Sequence, residues 1–68
     1  MTKRQREAFD YLEKYIAVHR YGPTYRELAS ALGVGSAAAY GLVERLARAG
    51  FVRFERGQWR SIEIVRAA

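Results

Sequence analysis

A chain of 68 residues, half of them apolar and 28% charged, has a globular profile and room for one small core. It has no cysteine, which excludes disulfide staples and cysteine-ligated zinc. No apolar run nears the roughly 20 residues that span a bilayer, and no signal peptide opens the chain. The expectation is one intracellular, cytoplasmic, soluble domain over residues 1–68.

The stretch "TKRQREAFDYLEKYIAVHR" reads as a first helix. Thr2 and Gln5 have capping-box spacing. Phe9, Leu12 and Ile16 recur at helical spacing and form the inward stripe, with Gln5, Ala8 and His19 on its flanks. Tyr11 and Val18 fall on the opposite face. Gly22 and Pro23 are the expected stop. "PTYRELASALG" reads as a second, short helix that opens on another capping box, Thr24 to Glu27. Leu28, Ala29 and Leu32 point inward, and Gly33 suits a left-handed C-cap.

The stretch "SAAAYGLVERLARAG" reads as a third helix with Gly35 or Ser36 as N-cap and Gly50 at its end. Ala39, Leu42, Val43 and Leu46 share its inner face. Ala37, Gly41, Glu44 and Arg48 point the other way, flanked by Ala38 and Arg45 on one side and Tyr40 on the other. The period then changes from 3.6 to 2. Val52 and Phe54, then Ile62 and Ile64, alternate with polar neighbours, and Arg56-Gly57 is the tight-turn candidate. Three helices and a β-hairpin, with a short turn between the second and third helices, make a mainly α winged helix-turn-helix. The expected core is Phe9, Leu12, Ile16, Leu28, Leu32, Val43, Leu46, Val52, Phe54, Ile62 and Ile64.

The net charge of +5 favours a polyanionic partner, and its distribution sharpens that. Residues 1–26 carry a net +3, residues 27–44 a net −2 and residues 45–66 a net +4. Basic groups therefore flank the bare "GVGSAAAYGL". Only Lys3 and Lys14 of the 12 basic residues are lysine, and arginine is the better bidentate partner for phosphate.

In "TKRQREAFDYLEKYI", "GPTYRELASALG", "LVERLARAGFV" and "GQWRSIEI" the chain resembles the N-terminal DNA-binding domain of the LexA repressor family. Thr24, Glu27, Leu28, Ala29, Gly33, Leu46, Gly50, Arg60 and Ile62 fall on that family's pattern. The resemblance implies a winged helix that binds double-stranded DNA as a transcriptional repressor. Two features depart from the family. "GSAAAYG" replaces its usual proline and polar readers, and the link from Gly33 into the third helix is one residue shorter. The family's repressors continue into a serine–lysine peptidase domain, whereas this sequence stops at Ala68. It reads as an excised domain or as a short stand-alone relative.

The third helix is the expected reader of the major groove. Ser36 suits a base edge or a phosphate, and Ala37 and Ala38 suit a thymine methyl. Gly41 admits close backbone approach, and Tyr40 suits a phosphate or a stacked base, with packing against the wing as its alternative. Arg45 lies lower on the helix and suits a phosphate. Thr24, Tyr25 and Arg26 open the second helix, whose free N–H groups suit a phosphate. In the wing, Arg56, Gln58 and Arg60 are minor-groove candidates. Trp59 is expected to pack on the first helix. Arg60 has the alternative of pairing with Glu55 or Glu63, and Ala37 and Ala38 that of being helix formers only.

Reader chemistry this sparse implies a pair of domains, a homodimer on a symmetric DNA site. No metal, cofactor, membrane or small-molecule partner is indicated. His19 is a lone histidine with too few ligands for a metal site. No serine has a histidine partner and no glycine-rich phosphate loop is present, so an enzyme is not expected. The rival class is a winged-helix protein-interaction module, an adaptor or anti-repressor, docking through Tyr11, Val18 and Phe51.

Overall fold

Helix α1 (Lys3–His19) begins on a two-way cap: the Thr2 hydroxyl accepts from Gln5 N–H (3.1 Å) and the Gln5 side chain accepts from Thr2 N–H (3.1 Å). The computed structural model describes residues 1–57 and 60–67. α1 ends two residues before Gly22, on Arg20, which takes a left-handed conformation (φ 70°) and donates its N–H to Ile16 O (2.8 Å). Gly22 was the expected stop and has a different job. A β-carbon there would stand 2.6 Å from Ile62 O, so glycine lets the α1–α2 connection lie against the hairpin.

Helix α2 (Tyr25–Leu32) carries the second reciprocal cap. Thr24 Oγ1 accepts from Glu27 N–H (3.1 Å) and Glu27 accepts from Thr24 N–H (2.8 Å). It ends on Gly33 (φ 70°), and Val34 N–H reaches back to Ala29 O (3.0 Å) in a Schellman closure. Helix α3 (Ser36–Arg48) follows after three residues. Its N-cap is Gly35, in extended backbone, and no side chain caps it. Gly50 (φ 87°) then turns the chain into the hairpin.

Strands β1 (Val52–Arg53) and β2 (Glu63–Ile64) pair antiparallel, with Val52 opposite Ile64 and Arg53 opposite Glu63. The Arg53–Glu63 pair is an ion pair at 2.8 Å. Residues 54–62 connect the strands, a longer span than a two-residue turn on Arg56-Gly57. The ladder stops early because the Ser61 hydroxyl takes both backbone groups of Glu55, accepting from its N–H (3.0 Å) and donating to its C=O (3.1 Å). Past β2, Arg66 lies over the Phe51 ring (4.6 Å) and donates to Ala49 O (2.9 Å), tying the exit of the hairpin to the end of α3. Three helices and this hairpin form a winged helix-turn-helix.

The core gathers Phe9, Leu12, Leu28, Val43, Leu46, Val52 and Ile62, with Ala8, Ala29, Ala39 and Leu42 filling the close approaches between helices. Leu32, Phe54 and Ile64 pack against it, half-buried. Ile16 lies at its edge and is partly exposed. Tyr11 and Phe51, expected away from the core, pack against it, and Phe51 meets Phe9 edge-to-face at 5.7 Å. α1 is covered by α2 and α3 and also by β2, so its buried surface is wider than a single stripe. Among the described residues no helix is long and apolar enough to cross a membrane.

Candidate nucleic-acid interface

The outer face of α3 is bare, as its residues dictate. Ser36, Ala37 and Ala38 are exposed in its first turn, and Ala39 turns into the core. The absent side chain of Gly41 serves no packing, since a β-carbon there would meet nothing within 4 Å. Gly35 supplies no cap, so the first N–H groups of α3 have no side-chain acceptor. Arg45 and Arg48 are exposed in the last turn. Glu44, the one acid on this face, stands 3.6 Å from the Arg56 guanidinium at the hairpin's turn. Arg56 is 80% exposed, so this contact is a weak tether.

Tyr40 packs inward as well as facing out. Its ring lies 5.2 Å from Tyr25 and 5.7 Å from Phe54, and Tyr25 and Phe54 meet at 6.3 Å, both Phe54 contacts being edge-on. The Tyr25 hydroxyl is buried without a hydrogen-bond partner among the described residues. Burial, then the neighbouring Tyr40 and Glu44, push its pKa up to about 12. Tyr25 and Tyr40 of this trio line an open cleft of about 510 Å³ between the start of α2 and the hairpin. The cleft brings together five of the expected site residues: Thr24, Tyr25, Arg26, Tyr40 and Arg60. Ser36, Ala37, Ala38, Gly41, Arg45 and Arg56 lie outside it. Gln58 and Trp59 fall outside the described residues.

Arg60 takes a left-handed conformation (φ 56°) that turns its side chain back on the helices. Its partner is neither Glu55 nor Glu63. Nη1 donates to the Tyr15 hydroxyl (2.8 Å) and stands 3.1 Å from Glu27 Oε1, while Nη2 donates to Glu27 Oε2 (3.4 Å). Nη1 also reaches Gly22 O (3.4 Å), and the guanidinium lies over the Tyr21 ring at 4.7 Å. Glu27 is held below the usual carboxylate range, first by the Thr24 N–H and then by Arg60. Tyr15 and Glu27 thus belong to the site's supporting structure. Sequence reasoning gave Glu27 only a capping role and Tyr15 none; Tyr15 is one helical turn from both Tyr11 and His19. His19 stacks on Tyr15 at 4.1 Å, which accounts for it structurally.

The arginines divide into two sets. Arg4 caps Leu32 O (3.0 Å) and pairs with Glu7, Arg6 pairs with Asp10, and Arg53, Arg60 and Arg66 are tied as above. Arg20, at the end of α1, and Arg26, Arg45 and Arg48 are exposed and have no ion pair among the described residues. Arg26 stands at the start of α2, and Arg45 and Arg48 lie in the last turn of α3, the two helices of the helix-turn-helix.

Residues 1–61 match the LexA DNA binding domain family. The LexA repressor of Staphylococcus epidermidis is 38% identical over 66 residues, which is 96% of this chain and 32% of that protein. The LexA repressors of Staphylococcus aureus (strain Mu3) and Staphylococcus haemolyticus are each 35% identical over the same spans. The chain therefore spans about a third of the length of these relatives.

Proposed function

Because this chain belongs to the LexA DNA-binding domain family, we propose that it binds double-stranded DNA sequence-specifically and represses transcription, acting in the cytoplasm on the chromosome. The observation that carries this reading is the outer face of α3: an uncapped helix start with small side chains, bordered by exposed, unpaired arginines. A helix start of this kind fits into the major groove without steric hindrance and offers backbone N–H groups to phosphate.

Each residue has a role in this reading. Ser36, Ala37 and Ala38 meet base edges, the alanines through thymine methyl groups. Gly41 lets the backbone approach. Thr24, Tyr25 and Arg26 meet a phosphate at the start of α2, and Arg45 meets another. Tyr40 reaches DNA from the wall of the cleft. Arg56 and Gln58 serve the wing. Arg60 follows them in sequence and works from its anchored position. Two copies bind a symmetric site, because one such reader discriminates weakly. Of the three apolar residues on which a protein-docking surface would rest, only Val18 is exposed, so no observation favours that alternative.

Selection of bound sites from a random duplex pool tests the reading. The expected result is a symmetric site with half-sites about 10 base pairs apart, or a multiple of that, and thymine-rich steps in each half. Replacing those thymines by uracil removes only the methyl groups and should weaken binding. Recovery of no enriched sequence would contradict the proposal.

A further inference from the structure

We propose that Tyr15, on α1, is a positioning residue for DNA binding: its hydroxyl fixes the Arg60 guanidinium against Glu27, and so sets the hairpin relative to the start of α2. This rests on the DNA-binding reading above. Three elements meet at one point. Tyr15 comes from the fourth turn of α1, Glu27 from the first turn of α2, and Arg60 from the return arm of the hairpin. The Tyr15 hydroxyl accepts from Arg60 Nη1 at 2.8 Å and faces both Glu27 oxygens at 3.4 Å. One hydroxyl thereby bridges the cation and the carboxylate.

The bridge matters because of where Glu27 is. Its carboxylate sits in the first turn of α2 and occupies the Thr24 N–H, beside the position offered to a DNA phosphate. An unpaired negative charge there would repel that phosphate. Arg60 offsets it, and Arg60 is held in place from three further sides by Tyr15, Gly22 O and the Tyr21 ring. The left-handed backbone at Arg60 aims the side chain at this cluster and turns the hairpin arm over the cleft. The hairpin's strands pair over only two residues each, so the anchor fixes the wing where the ladder does not.

Tyr15→Phe removes the hydroxyl and leaves the ring on His19. Trp59, the only tryptophan and the neighbour of Arg60 in sequence, reports on the wing. In the free protein the variant should unfold with near wild-type cooperativity and show lowered Trp59 fluorescence anisotropy. Affinity for duplex sites selected from a random pool should fall about tenfold, a change of roughly one decade in Kd. The dependence on salt should stay the same, because no charge is removed. Glu27→Gln keeps an acceptor for the Thr24 N–H but removes the carboxylate that Arg60 pairs with. It should also lower Trp59 anisotropy, but steepen the salt dependence as Arg60 is freed. Both variants should lose preference for selected over random duplex. If Tyr15→Phe and Glu27→Gln keep wild-type preference and anisotropy, the anchor does no positioning. If the wild-type protein binds no duplex, the DNA reading falls instead.

Discussion

Helices α1 and α2 each begin with a threonine and a partner side chain folded onto the first turn, whereas α3 begins on Gly35 with no cap at all. The first two starts are partly closed by the protein itself; in α2 the cap takes the Thr24 and Glu27 N–H groups and leaves those of Tyr25 and Arg26. The third leaves its N–H groups to whatever docks on it. Capping stabilises a fold and an open start suits binding; in the proposed function the α3 start takes the second role. The arginines differ in the same sense: Arg53, Arg60 and Arg66 of the hairpin are tied, whereas Arg26 at the start of α2 and Arg45 and Arg48 at the end of α3 have no ion pair among the described residues.

The largest effects should come from the shared scaffold and leave this contrast standing. Leu46 is 1% exposed, and Leu46→Ala should cost about 2–5 kcal/mol and lower the thermal midpoint sharply. Gly22→Ala should cost about 1–3 kcal/mol, because its new β-carbon meets Ile62 O and neither backbone can yield freely. An unchanged midpoint in chemical or thermal unfolding would contradict either placement.

Smaller effects bear on the helix starts. Thr24→Ala should cost about 1 kcal/mol, as a lost N-cap does. Gly35→Asp should act in the opposite direction. Gly35 has ordinary extended backbone with nothing near its β-position, so aspartate would cap α3 and stabilise it by a few tenths of a kcal/mol. The same carboxylate would weaken duplex binding, because it takes the N–H groups and repels phosphate. Wild-type affinity in the Gly35→Asp variant would show that the α3 start does not face DNA.

Titration adds two checks. Glu27 has a folded pKa below its unfolded value, so its contribution is present above about pH 4.5 and is lost as pH falls through the lowered folded value. Acid unfolding of Glu27→Gln should therefore begin with less steepness than in wild type. Tyr25 has a raised pKa of about 12 against 10.0, so its neutral hydroxyl stabilises the fold below pH 10, and this is lost as pH climbs towards 12. In an alkaline absorbance titration, Tyr25→Phe should remove the last tyrosine transition.

Local patterns made most of the fold legible. Capping boxes, glycine stops and the change of period mark α1, α2, α3 and the hairpin because each depends on residues a few positions apart. The departures share a different origin. The stop of α1 on Arg20 and the turned-back Arg60 depend on left-handed backbone at non-glycine residues, which surroundings impose and propensity does not reveal. Tyr11 and Phe51 are buried by elements distant in sequence. For the site, the bare face of α3 and its bordering arginines were readable from helical spacing and charge. The Tyr15–Glu27–Arg60 cluster was not, since it spans up to 45 positions of sequence.

The salt dependence of duplex affinity bears most directly on whether the free arginines meet DNA. Binding of the wild-type protein to a selected site should weaken steeply with salt, each phosphate contact contributing roughly −0.9 to the log–log slope. Arg26→Ala and Arg45→Ala should each flatten that slope by about one unit and weaken all sequences alike. An affinity indifferent to salt, or a slope that neither substitution changes, would show that the face bordered by these arginines does not bind DNA.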